Sequence, residues 1–150
     1  MYSQIALKEP LKTKSNFSLS ITTYNHAEQI FDGITTYSLT KDTLTIHKTF
    51  MFSDQDSILF SKKLDFNSID QLEKIRLDSL EDFYFNYCIM ATSGNEYFIS
   101  TIIDTVNKKI SLHHYYNEQI EKLINELNNN IPDRFKLDYL TKDTKQDCKI

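Results

Sequence analysis

The chain has 150 residues, a formal charge of −4, 40% hydrophobic residues and 13% aromatic residues. That length suits one domain around one core, and the composition excludes wholesale disorder. The acidic balance argues against a nucleic-acid binder, as do the cations: Arg76 and Arg134 are the only arginines among 17 cationic residues.

Residues 1–16 read as a polar lead-in containing Pro10. Phe17, Leu19, Ile21 and Thr23 then alternate with Ser18, Ser20, Thr22 and Tyr24, the period of a strand with one dry face. Residues 34–39 and 43–49 predict a hairpin about Thr40-Lys41-Asp42, and residues 57–64 complete a meander. The period then changes. Asn67 as a cap, Asp70 near the positive end of the dipole, and Ile69, Leu72 and Ile75 along one side predict a short helix over 67–77. Residues 83–92 form a long apolar run that reads as a strand. Ser93-Gly94-Asn95 turns it into a second strand over 96–103. Both carry apolar residues on two faces, which predicts central positions in the sheet. A further turn at Val106-Asn107-Lys108 leads to a strand over 109–114.

The last helix has the clearest pattern. Asn117 caps it, and Ile120, Leu123, Ile124 and Leu127 make one apolar stripe. Glu118 and Lys122 form a favourable i,i+4 pair, and Asn128-Asn129-Asn130 with Pro132 ends the helix. Alternation of Phe135, Leu137 and Tyr139 predicts a final edge strand. The expected organisation is a lead-in (1–16), one α+β domain (17–140) and a polar tail (141–150). The expected fold class is α+β: an antiparallel sheet of seven to eight strands with a short middle helix and a C-terminal amphipathic helix. That order of elements matches pleckstrin-homology-like domains, and a single curved sheet with both helices on one face gives the same pattern.

Chemistry-bearing motifs are scarce. With Gly33 and Gly94 the only glycines, no phosphate-cradling loop and no nucleophile elbow can be written. Cys88 lies in an apolar run and Cys148 near the C-terminus, so no disulfide is expected, and no C-x-x-C occurs. With no apolar leader and no membrane-length run, the expected location is the cytoplasm, without membrane insertion. His113 and His114 are adjacent on a strand, so they point to opposite faces and cannot share one metal. A metal would need His26 or His47 with carboxylates from elsewhere. No catalytic residue, cofactor or metal is therefore expected. Carboxylates are densest over 65–82, where Glu73, Asp78, Glu81 and Asp82 suit a docking surface for a basic partner. The tyrosine-rich second half adds Tyr115 and Tyr116 as candidate anchors.

Asn86-Tyr87-Cys88-Ile89, the run from Ile110 to Tyr116, the helix from Ile120 to Asn128 and Ile131-Pro132 resemble a group of small accessory proteins of Bacteroidota-type bacteria. The resemblance covers about residues 83–139, with His114 where that group carries Asn. It implies a bacterial origin and supplies no activity. Size, acidity and the missing catalytic motifs favour a non-enzymatic protein-binding module. The expectation is an immunity-type inhibitor that neutralises a bacterial toxin by binding a basic toxin domain. The alternative is a pleckstrin-like adaptor or scaffold subunit binding a peptide, lipid or partner protein.

Overall fold

Alternating apolar residues drive the sheet. In the computed structural model, which describes residues 15–28, 33–50, 52 and 56–148, Phe17, Leu19 and Ile21 of β1 (Phe17–Asn25) are buried on one face. Tyr37 and Leu39 of β2 (Ile34–Thr40) join that face, as do Leu44 and Ile46 of β3 (Thr43–Thr49). Strand β4 (Asp56–Lys63) closes the meander, with a register shift at Ile46/His47.

Helix α1 (Phe66–Glu73) starts and ends earlier than its sequence suggests. The cap is Asp65, whose carboxylate accepts the Ser68 amide at 2.7 Å, so the first turn forms ahead of Asn67. Ile69 and Leu72 are buried beneath the helix, and Leu77 is buried in the chain that follows it.

The expected strand over 83–92 is cut to three residues, β5 (Phe83–Phe85). The cause is Asn86, which is fully buried. Its side-chain amide donates to the His114 and Lys145 carbonyls, each at 2.9 Å, and its carbonyl accepts the Cys88 amide at 2.8 Å. These bonds turn the chain out of the ladder. Strand β5 lies at the sheet edge rather than centrally, and it pairs with β7 in parallel. Strand β6 (Asn95–Ile103) is central as expected. The next hairpin is tighter than predicted: Ile103 pairs with Val106, and Asp104 takes φ 55°. Strand β7 (Val106–His113) therefore begins where a turn was expected.

The seven strands form one open sheet in the order β4-β3-β2-β1-β6-β7-β5. Helix α2 (Glu118–Asn128) matches its prediction, with Asn117 accepting the Gln119 and Ile120 amides and the four stripe residues buried. Both helices contribute to the core that covers one sheet face. The final edge strand does not form. A 3-10 turn (Asp133–Phe135) intervenes, and Asn128 takes the place of a strand partner: its side chain bonds both the amide and the carbonyl of Leu137 at 2.9 Å.

Cys88 and Cys148 are disulfide-bonded, with Cα atoms 5.1 Å apart. Sequence reasoning failed here because it took the tail as free. Asn86 holds Lys145, and Gln146 exchanges two hydrogen bonds with the Tyr116 backbone, at 2.7 and 3.0 Å. The tail is thereby laid beside the loop that carries Cys88.

Two stability effects follow from this packing. Leu123 is 1% exposed; Leu123→Ala is expected to cost about 2–5 kcal/mol in urea denaturation, and an unchanged midpoint would contradict the helix–sheet core. The disulfide spans 60 residues, for which the chain-entropy relation gives about 4 kcal/mol. Cys148→Ser is expected to melt at the temperature of the reduced wild type, with no further response to reductant.

Candidate functional site

Strand alternation that buries one face leaves the opposite face to a different set of side chains. On β1, β2 and β3 that set is hydroxyl-rich: Ser18, Ser20, Thr22, Thr36, Ser38 and Thr45. Across β6, β7 and β5 it becomes aromatic. Register places Tyr24 opposite Glu96, Glu96 opposite His113, and His113 beside Phe85. One row thus runs over four strands.

The rings of this row touch in sequence. Phe83 stacks near Phe85 with centroids 6.3 Å apart, and Phe85 stacks on His113 at 4.7 Å. His113 lies 5.2 Å from His26, which meets Tyr24 edge-on at 5.2 Å; Tyr24 in turn stacks near Phe98 at 6.2 Å. Tyr87 extends the band from Phe85 at 5.1 Å. Its outer members are open to solvent, with Phe83 61% and Tyr87 56% exposed. Beside the band lies a shallow depression of about 430 Å³, walled by Ser20, Thr22, Phe98, Ser100, Lys109 and Ser111.

Glu96 sits at the centre of the row. One of its carboxylate oxygens, Oε1, faces His26 Nε2 at 3.1 Å and is also hydrogen-bonded to His113 Nδ1. His113 is buried, and its other nitrogen, Nε2, has no hydrogen-bond partner. Backbone geometry brings these groups together. His26 lies just past β1, where its amide donates to the Gly94 carbonyl at 2.9 Å. Gly94 has φ 86°, and a Cβ there would sit 2.8 Å from the His114 ring. A side chain at 94 would therefore push apart the β6–β7 end that aligns Glu96 with His113.

His114 leaves the row, as expected for the neighbour of His113. It takes φ 45°, and its Nδ1 accepts the Asn95 amide at 3.0 Å. Burial, followed by the charge of His113, lowers its pKa and favours that neutral acceptor form. Burial and then the Glu96 charge raise the Tyr24 phenol.

Of the sequence-predicted binding residues, Glu81 is joined to Tyr115 through Tyr84, whose hydroxyl accepts the Glu81 amide at 2.9 Å. Glu73 is half-buried on α1 and accepts a hydrogen bond from Ser15. Asp78 is exposed and paired with Arg76 at 2.8 Å. Glu81 and Asp82 are exposed just ahead of Phe83, with Asp82 bound to Lys108 at 2.8 Å. Tyr115 stacks on Tyr84 at 5.0 Å, and the Tyr116 hydroxyl donates to Glu121, which pushes its pKa up to about 12. Both tyrosines are engaged within the fold. Phe83 and Phe85 lie on the open face because β5 is a three-residue edge strand rather than a central one, and Phe98 because β6, although central, is covered on one face only. Sequence reasoning missed Glu96, although Tyr24 and His26 share β1 parity and could have pointed to this face.

Comparison of the sequence with protein-family models finds no match, and no curated protein matches it. Among the described residues, no helix is long and apolar enough to cross a membrane.

Gly94→Ala is expected to lose about 1–3 kcal/mol in denaturation and to move the imidazole NMR signals of His114 and His26. Wild-type stability with unmoved signals would show that close approach at Gly94 is not needed.

Proposed function

We propose that the protein is a non-enzymatic binding module that docks a partner protein on the aromatic end of its open sheet face, as an immunity-type inhibitor docks a toxin. The observation that carries this reading is the continuous ring contact from Phe83 to Phe98 with its outer members exposed. Aromatic side chains supply large contact area at small entropic cost, which is why they anchor interfaces. The occupant is a protein with an apolar centre and a basic rim. Charge supports that choice: Glu81 and Asp82 flank Phe83, and the chain is acidic overall. Opposed charges speed encounter, while the buried rings set the dissociation rate.

The cysteines bear on the compartment. A reduced cytoplasm was expected while the two were read as unpaired; the Cys88–Cys148 bond supports an oxidising compartment instead. The adaptor reading draws on a pleckstrin-homology-like order of elements alone. Of the lysines it would use for a lipid, Lys41, Lys62 and Lys63 lie at the β2–β3 turn and on β4, away from the aromatic end, while Lys48 lies on β3 near Tyr24.

Affinity capture from the native cell, paired with a Phe83→Ser/Phe98→Ser variant, tests the docking face. The expected result is a partner whose own activity is inhibited on binding and whose dissociation from the variant is at least tenfold faster. Neutralising Glu81 and Asp82, which precede Phe83, is expected to slow association and flatten its salt dependence. A partner that binds wild type and double-Ser variant alike would overturn the proposal, as would the lack of any partner.

A further inference from the structure

We infer that His26, Glu96 and His113 form a binding site for a divalent transition metal ion of the zinc type. This does not rest on the docking proposal and is tested without a partner. The observation is convergence: one nitrogen from each imidazole and one carboxylate oxygen lie within 4.8 Å of one another. Two nitrogens and one oxygen match the borderline donors zinc takes from three protein side chains, with the fourth tetrahedral position left to water or to an incoming ligand. Magnesium and calcium prefer shells made of oxygen, so two imidazoles disfavour them.

Three features of the fold hold this arrangement. The β6–β7 register sets Glu96 against His113. The bond from the His26 amide to the Gly94 carbonyl sets the third ligand. Stacking of Phe85 on the His113 ring fixes the direction of its nitrogens. Both imidazoles aim a nitrogen at the same carboxylate oxygen. In the metal-free protein those nitrogens carry the protons that hold the carboxylate. A neutral imidazole would hold zinc through a nitrogen that carries no proton, so on binding each ring would move its proton to its other nitrogen, and the ligand atoms would lie about 2.0–2.2 Å from the ion. The ring proton of His113 would then sit on its buried, unpartnered Nε2. An orphan nitrogen is a cost that folded proteins usually avoid, and here it accompanies a ring held with Nδ1 directed at the cluster.

A metal was expected to need His26 or His47 with carboxylates from elsewhere, and His26 with Glu96 is the set that converges on His113. His113 and His114 do not share a site. The partners come instead from the end of β1 and the start of β6, about 70 residues and 17 residues away from their counterparts in the cluster.

Isothermal titration of the metal-stripped protein with Zn²⁺ at neutral pH tests the site. The expected result is one equivalent bound with a saturable heat. Co²⁺ is expected to give the visible absorption of a tetrahedral site. His26 lies at the rim, so His26→Ala is the least disruptive ligand change; it is expected to weaken Zn²⁺ at least tenfold and abolish the Co²⁺ band while leaving the circular dichroism unchanged. Glu96→Gln is expected to act in the same direction, and His47→Ala to bind as wild type does. Absence of saturable binding by wild type would overturn the inference. So would binding that survives both His26→Ala and Glu96→Gln.

Discussion

Nine consecutive residue pairs, from Phe17–Ile103 to Asn25–Asn95, join β1 to β6. This ladder links strands nearly eighty positions apart, and much of the remaining structure depends on it. It fuses the β1–β4 meander and the β5–β7 group into one sheet. It also fixes which side chains share a face. A slip by one residue would turn Leu19 and Ile21 out of the core and bring Ser18 and Ser20 in. The apolar stripe of α2 would then meet hydroxyls, so helix packing and strand register select each other. The same register puts Tyr24 against Glu96, and His26 two residues farther along. The aromatic row and the carboxylate at its centre are thus consequences of the pairing that builds the core.

The second constraint is local and polar. Asn86 commits both amide protons and its side-chain carbonyl to three backbone groups from three segments: its own loop, the end of β7, and the tail. A buried amide so satisfied fixes direction better than apolar contact does, because each bond has a preferred line. Ending β5 after three residues is one result. Bringing the tail within reach of Cys88 is the other, and the disulfide then closes a geometry that hydrogen bonds have already set. Asn128 works similarly at the opposite end of the chain order, bonding both polar groups of Leu137 where a strand would have done so. Both residues replace ladder pairing with side-chain pairing, and both mark places where a period-2 pattern does not become a strand.

Those two asparagines also explain what was legible in the sequence. The α2 stripe, its Asn117 cap, the alternation of β1 and the meander are short-range signals, and the structure keeps them. The failures come from long-range partners. Residues 86–92 have a strand's composition, but Asn86 finds carbonyls 28 and 59 positions away and leaves the ladder. Phe135, Leu137 and Tyr139 alternate as an edge strand would, yet only Leu137 of the three is fully buried, and its backbone is taken by Asn128. Cap choice at α1 was missed by two residues because Asp65 and Asn67 are both good caps and local sequence does not rank them. The candidate binding residues rest on carboxylate density and tyrosine content, which do not show tertiary partners: Tyr115 and Tyr116 are engaged by Tyr84 and Glu121.

The two sheet faces carry different kinds of information. The covered face is specified by volume and apolarity, which many sequences satisfy, and its residues were the ones sequence reading found. The open face gains nothing in core stability from Phe83 or Phe98, and exposed aromatic rings cost solubility. A ring band there, with a carboxylate held between two imidazoles, is difficult to account for by folding alone. Glu96 is shielded by its neighbours, and a shielded carboxylate is retained only with partners that offset its desolvation. Both partners here are histidines, whose imidazoles can hold a carboxylate as N–H donors or a metal ion as ligands. The face therefore combines an apolar contact surface with a chemically responsive centre, and both are placed by the β1–β6 register.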